Sequence, residues 1–227
     1  MKLNFEFLDE PLEINGLTSV ILEDKRIFAK VIQELYRYTG EVDYLKLFDE
    51  SYKSLKSAEL MIITDVLGFD VNSASVLKLI YQDLELQISE KPEVKTEIEN
   101  LLQEVTNLVN AELLDFEIDL ESDEITFPEV FKVLGVQVEI KSDTIFERME
   151  EIIEVFKYLS KKKLLIFVNC GSYLTAKEVN YLQEYIGLHE ISCLMLDNTR
   201  FDGISKRFVL DGDLILLEES GKIKTKD

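Results

Sequence analysis

Five carboxylates crowd one short stretch of the chain: Glu117, Asp119, Glu121, Asp123 and Glu124. From Asp115 to Glu121 they alternate with Phe116, Ile118 and Leu120, which places the acids on one edge of an extended segment and the apolar residues on the other. Oxygen-only ligands beside a turn at Ser122-Asp123 suit Ca2+, which takes about six to eight oxygens at relaxed geometry, better than Mg2+ with its tight octahedron. The EF-hand spacing and its Gly are absent, and a solvated charged face fits the same residues. A second set is basic: Lys25-Arg26, Lys132, Lys161-Lys162-Lys163, Arg200 and Lys206-Arg207. Each alone is ordinary surface. Several border the ends of expected strands, which leaves a shared face for a polyanion open.

Other chemistries lack their residues. The single histidine, His189, follows a helix end and reads as a surface or capping residue. There is no G-x-S-x-G elbow and no signature Cys–His pair, and zinc has no ligand set. Phosphate binding needs glycines that let backbone N–H groups close around the anion, and a Lys to neutralise it. The first strand-to-helix turn, Leu22-Glu23-Asp24-Lys25-Arg26, has no Gly and two acids in that position. Cys170-Gly171-Ser172-Tyr173 has one Gly and no Lys. The expectation is a binding protein, not an enzyme. A degenerate ATPase-like protein still holding nucleotide at Asn169–Tyr173 is the alternative, and a scaffold recruiting other proteins is a third.

The elements that must position these residues read as an α/β fold. Leu164–Val168 is an apolar run ended by Asn169-Cys170-Gly171, the pattern of a strand buried on both faces. Thr175 and Glu178 form a capping box for a helix that stops at Gly187, and Ile191–Leu196 supplies the next strand. The carboxyl edge of this βαβ unit carries Asn169, Gly171, Ser172, Tyr173, Asp197, Asn198 and Arg200, where ligands approach open α/β sheets. Upstream, residues 2–7 alternate as a strand, with Pro11 and Asn15-Gly16 punctuating a hairpin. Thr18–Leu22 is a strand and Arg26–Tyr38 a helix with an Ile27, Phe28, Val31, Ile32, Leu35, Tyr36 stripe. Short strands are expected at Tyr44–Phe48 and Leu60–Thr64.

After Asn72 the alternation gives way to two long helices. One carries Val76, Leu77, Ile80, Tyr81 and Leu84. The next begins at Pro92 and carries Val94, Ile98, Leu101, Leu102, Val105, Leu108 and Val109; they should pack as an antiparallel pair. A short helix at Pro128–Leu134 follows, then a strand at Val136–Ile140 returning to the sheet. A long helix at Ser142–Leu159 is capped by Thr144 and Glu147. A hairpin over Arg207–Leu217 should turn on Asp211-Gly212, and the last ten residues should fray. The division expected is an α/β head at 1–70 and 135–227 with a helical leg at 71–134.

Bulk properties bound the function. The chain has 227 residues, 46% of them hydrophobic, and a net charge of −20. The charge is uneven: Asp83–Glu124 holds 14 acids against 2 Lys, whereas Ser160–Asp227 holds 10 of each sign. Acid concentrated in one segment leaves room for a polyanion site elsewhere. No stretch approaches a membrane span, the acid-bearing start does not read as a secretory signal, and Cys170 and Cys193 lie in or beside apolar strands as expected of buried thiols. A cytoplasmic protein is expected.

The opening Met1-Lys-Leu-Asn-Phe-Glu-Phe-Leu-Asp-Glu-Pro-Leu-Glu-Ile14, the acidic helical insertion and the late Leu165-Ile-Phe-Val-Asn-Cys-Gly-Ser-Tyr-Leu174 resemble the type II-A CRISPR adaptation protein, the small accessory family of spacer acquisition. The resemblance spans essentially the whole chain. It implies an α/β head related to phosphate-loop ATPases that has lost the nucleotide site, plus an α-helical leg. It implies a homotetramer ring whose basic inner surface takes double-stranded DNA, preferentially at free ends. It implies Ca2+ on acidic leg residues, and other CRISPR adaptation proteins and the effector nuclease as partners in antiviral defence. No residue of a ring lining or metal site is carried over individually, so the residues named above rest on local chemistry.

Overall fold

In the computed structural model, which describes residues 1–40 and 44–220, the chain divides into two compact units. One comprises Met1–Phe69 with Ile140–Asp227, the other Asp70–Glu139.

The first unit is built on a six-stranded sheet. β3 (Leu17–Leu22), β5 (Leu60–Ile63), β6 (Leu164–Val168), β7 (Cys193–Asp197) and β8 (Lys206–Leu210) run parallel, and β9 (Leu216–Ser220) is antiparallel to β8. The order is β5-β6-β7-β3-β8-β9, so β3, the first of these strands in the chain, lies between two of the last. Every residue of β3, β6 and β7 is buried. That explains their unbroken apolar runs: a strand covered on both faces has no solvent side to mark with alternation.

A smaller antiparallel sheet of β1 (Lys2–Phe5), β2 (Leu12–Glu13) and β4 (Leu45–Phe48), in the order β2-β1-β4, packs with α1 (Lys25–Tyr36) on one face of the large sheet. Val20 and Leu22, Leu164, Ile166 and Val168, and Leu194 and Leu196 share that core with Val31 and Leu35. The intervening residues, among them Ile21, Leu165, Phe167 and Met195, are equally buried and point to the opposite face. There α6 (Ala176–Leu188) meets β3 and packs on α5 (Ile145–Lys157). Both expected capping boxes form: Glu147 N–H donates to Thr144 Oγ1 at 3.2 Å, and Glu178 N–H to Thr175 Oγ1 at 3.3 Å.

The second unit contains α2 (Ala74–Ser89), α3 (Pro92–Leu113) and α4 (Phe127–Val133). Tyr81 of α2 and Phe127 and Phe131 of α4 form its small core, with Leu77, Ile80, Leu84 and Ile98 against it.

Four expectations are corrected. Val136–Ile140 is not a strand. The Asn72 side chain takes the place of a neighbouring strand, its Nδ2 donating to Val138 O (2.9 Å) and its Oδ1 accepting from Val138 N–H (2.8 Å), while Tyr81 Oη donates to Val136 O (2.7 Å). Backbone groups satisfied by side chains have no need of a ladder. Asp115–Glu121 is irregular and exposed, apolar residues included; alternation supplies a face but not the partner a strand requires. The last hairpin turns through Asp211–Ile215 rather than on Asp211-Gly212, with Leu210 opposite Leu216 and the positive φ at Leu214 (64°). Of the expected frayed tail, Glu218–Ser220 belongs to β9, and the rest lies outside the described residues.

Candidate nucleic-acid interface

The carboxyl edge of the parallel strands begins at the turn from β3 into α1. Asp24, extended at φ −72° and ψ 116°, is the N-cap: its Oδ1 accepts from Arg26 N–H at 2.7 Å and Ile27 N–H at 3.1 Å. The bonds from Ile27 and Arg26 hold its carboxyl below the usual range. A phosphate at this turn would need those same helix N-terminal amides. The protein's own carboxylate occupies them, so the turn repels the anion a phosphate loop would hold.

The loop after β6 is spent in a similar way. Asn169 stands in the left-handed region at φ 57°, and Gly171 N–H donates to Asp197 Oδ1 at 2.9 Å. A Cβ on Gly171 would lie 2.2 Å from the Phe201 ring, so only glycine permits the close approach of this loop to the β7–β8 connection. Asp197 is 1% exposed, and among the described residues its Oδ2 has no hydrogen-bond partner. Burial pushes its carboxyl up to about 6, against the lowering bond from Gly171. Burial, and then the neighbouring Asp197 charge, push the Cys170 thiol up to about 12; Cys193 is raised by burial as well. Both are free, buried thiols with no thiolate character for chemistry. The sequence put Asp197 at this edge without marking it as the buried acid. The available signal was an Asp closing the apolar run Cys193-Leu-Met-Leu196.

The nominated basic residues do not form one patch. Lys25 and Arg26 open α1 at the carboxyl end of β3 with exposed side chains, and among the described residues neither makes an ion pair within 4.0 Å. Arg200 bridges Glu23 (3.1 Å) and Glu219 (3.2 Å). Lys206 pairs with Glu218 at 3.0 Å. Arg207 lies 3.6 Å from Glu219 and donates to Phe201 O at 2.9 Å. Lys161, Lys162 and Lys163 precede β6, at the amino ends of the strands. Lys162 Nζ donates to Leu60 O (2.7 Å), its ammonium lowered by burial, and Lys163 pairs with Glu59 at 2.5 Å. These lysines tie the start of β6 to that of β5. Lys132 is exposed on α4, in the other unit. The expectation of a shared basic face is therefore corrected: strand direction sends the cations to both ends of the sheet, and cross-strand acids neutralise Arg200, Lys206 and Arg207.

The acidic set is not brought together either. Glu117, Asp119, Glu121, Asp123 and Glu124 are all exposed, and among the described residues no group of three or more His, Cys, Asp or Glu stands where it could hold a metal ion. Ser122 Oγ donates to Asn110 Oδ1 at 2.6 Å. That bond folds the segment onto the end of α3 beside an open cleft of about 570 Å3 lined by Asn107, Asn110, Leu113, Leu114, Leu120 and Glu121. Five carboxylates strung along an irregular segment do not supply the converging oxygens Ca2+ needs. His189 is the C-cap of α6 with its ring 4.5 Å from that of Tyr185.

Fold and edge together define an α/β protein with an inserted helical unit, whose first strand-to-helix turn is closed to phosphate by its own cap. Residues 37–214 match the family described as CRISPR-associated protein (Cas_Csn2). The chain is 49% identical over 220 residues to CRISPR-associated protein Csn2 of Streptococcus agalactiae, covering 97% of this chain and 99% of that one. It is 50% identical over 197 residues to the Csn2 protein of Enterococcus faecalis, covering 87% and 90%. The chain belongs to the Csn2 family of CRISPR-associated proteins, as the resemblance in the sequence implied. The crystal structure of Stu0660 of Streptococcus thermophilus shares the fold at a TM-score of 0.58 and 13% identity, covering 98% of this chain and 76% of that one. Among the described residues no helix is long and apolar enough to cross a membrane.

Proposed function

We propose that this protein binds double-stranded DNA without reading its sequence, at free ends, during CRISPR spacer acquisition in antiviral defence. In this reading it works as a homotetrameric ring alongside other adaptation proteins and the effector nuclease, and it catalyses no reaction. The observation that supports it most is the β3–α1 turn: Asp24 caps the helix, so the turn does not take nucleotide, and Lys25 and Arg26 are left exposed beside it. Exposed cations on an otherwise acidic chain are suited to phosphate contact with counterion release. Sequence indifference is expected because the first turn of α1, Lys25-Arg26-Ile27-Phe28, sets a single Arg beside a Lys and two apolar residues, with no Asn or Gln for bidentate base contact. Ca2+ on the acidic leg residues is part of the same reading: Glu117, Asp119, Glu121, Asp123 and Glu124 are exposed along an irregular segment, and an ion would have to draw their oxygens together.

The test is the salt dependence of binding to a linear duplex. Replacing Lys25 and Arg26 together by Ala should reduce the slope of log K against log salt by about 2, roughly 1 per lost phosphate contact. Replacing Lys206 and Arg207 should leave it unchanged, because Glu218 and Glu219 already engage them. Closed circular duplex should compete poorly against linear. An unchanged slope in the first variant removes the turn from the interface, and equal competition by circles rejects end loading.

A further inference from the structure

Two acids precede the two cations of the β3–α1 turn, and each is held in a different way. The Asp24 carboxylate is taken by the Arg26 and Ile27 amides. Glu23 has its backbone fixed, its N–H donating to Leu210 O at 3.0 Å next to the last paired position of β3 and β8. Its carboxylate meets Arg200 on the connection between β7 and β8, Oε1 to Nη2 at 3.1 Å.

Arg200 is itself tethered. Its other terminal nitrogen, Nη1, lies 3.2 Å from Glu219 Oε1 on β9, and Glu219 Oε2 lies 3.6 Å from Arg207 Nε on β8. Arg207 Nη1 donates to the carbonyl of Phe201, the residue after Arg200, at 2.9 Å. Glu23, Arg200, Glu219 and Arg207 thus form a chain of alternating sign across four segments of the first unit, with two acids and two cations. Lys25 and Arg26 stand exposed beside it. The Arg200 and Glu23 side chains are 47% and 36% exposed, and an ion pair so open to water contributes little to folding. Its effect is on the field at the turn, where an uncancelled Glu23 would repel the same phosphates that Lys25 and Arg26 attract.

We propose that Arg200 is a positioning residue for DNA at the β3–α1 turn. It touches no phosphate; it holds and cancels the Glu23 carboxylate, so that the anion meets Lys25 and Arg26 without that repulsion. This role rests on the DNA reading given above.

The test is a double-mutant cycle on the full chain, read as affinity for a linear duplex at about 0.05 M salt and as the salt slope. Arg200→Gln should weaken binding about fivefold, the scale of one charge pair at contact in water, with the salt slope unchanged. Glu23→Gln alone should stay within about twofold of the parent chain, because Arg200 already cancels that acid. Glu23→Gln added to Arg200→Gln should restore the affinity. Glu219→Gln added to Arg200→Gln gives the same net charge and should not. A loss caused by damaged structure would persist in the Glu23→Gln, Arg200→Gln pair, which lacks the ion pair too. Should Arg200→Gln unfold by circular dichroism, Arg200→Lys takes its place, since one ammonium cannot hold Glu23 and Glu219 through separate nitrogens; the same pattern is expected with a smaller loss. A slope lower by about 1 in each Arg200 variant would make Arg200 a phosphate contact and overturn the proposal. So would Glu23→Gln acting equally with and without Arg200, or equal rescue by Glu219→Gln. If Lys25 and Arg26 to Ala leaves the slope unchanged, the DNA reading of the turn fails and this role with it; if that slope falls and the cycle is additive, the role of Arg200 alone is lost.

Discussion

Asp197 is a carboxylate placed where a charge is costly. It is buried at the end of β7 with one oxygen bonded to Gly171 and the other unpartnered among the described residues. Its folded-state pKa is raised from the usual 3.8 to about 6, so the native state holds the proton more tightly than the unfolded chain does. The sign follows: stability is greatest below the unfolded value and is lost as pH rises through about 6. The shift corresponds to roughly 3 kcal/mol at neutral pH. Asp197→Asn keeps an acceptor for Gly171 and removes the charge. Urea unfolding at pH 7.5 should show the variant about 1–3 kcal/mol more stable, and the advantage should shrink at pH 5, where Asp197 is already protonated. Equal stabilities at both pH values would mean that the carboxyl is not desolvated.

At the scale of elements, Asn72 shows how a segment of strand-like sequence is held without a strand. Val136-Gln-Val-Glu-Ile140 alternates, but its ladder partners are the Asn72 amide and the Tyr81 hydroxyl. Asn72→Ala removes two hydrogen bonds and leaves the Val138 N–H and C=O without partners. The expected cost is about 1–3 kcal/mol within the Asp70–Glu139 unit. Hydrogen exchange should quicken at Val138 while β3, β6 and β7 amides keep their protection. Unchanged exchange at Val138 would mean the side-chain bonds contribute nothing to holding the segment.

At the scale of the whole molecule, charge follows the division into units. Asp70–Glu139 contains 17 acids and 4 lysines, a net −13, which leaves −7 for the rest of the chain. The first unit is therefore the one with cations to present, and the second is dominated by self-repulsion. Raising salt from about 0.01 to 0.1 M shortens the screening length from roughly 30 to 10 Å. Protection of α2 and α3 amides should increase over that range more than protection of the β6 and β7 core. A uniform response across both units would show that the acid on the helices is already dispersed well enough to be harmless.

What the sequence determined by itself was local or compositional. The buried strands declared themselves by unbroken apolar runs, α5 and α6 by their capping boxes, the helical insertion by the change of period after Asn72, and the missing phosphate loop by Glu23-Asp24 where glycines would stand. These are properties of neighbouring residues, and short-range sterics and hydrogen bonding suffice to fix them. Pairing belonged to the tertiary structure alone. No pattern in the chain says that β3 inserts between β7 and β8, that Glu23 and Glu219 both reach Arg200, or that Lys162 spends its ammonium on Leu60 O. Such contacts join residues far apart in sequence, and whether a lysine is a ligand for phosphate or a strut between strands depends on which acid or carbonyl the sheet register brings beside it. The same reason explains the alternating Asp115–Glu121: its sequence specifies two faces, but only the packed molecule specifies whether anything lies against either of them.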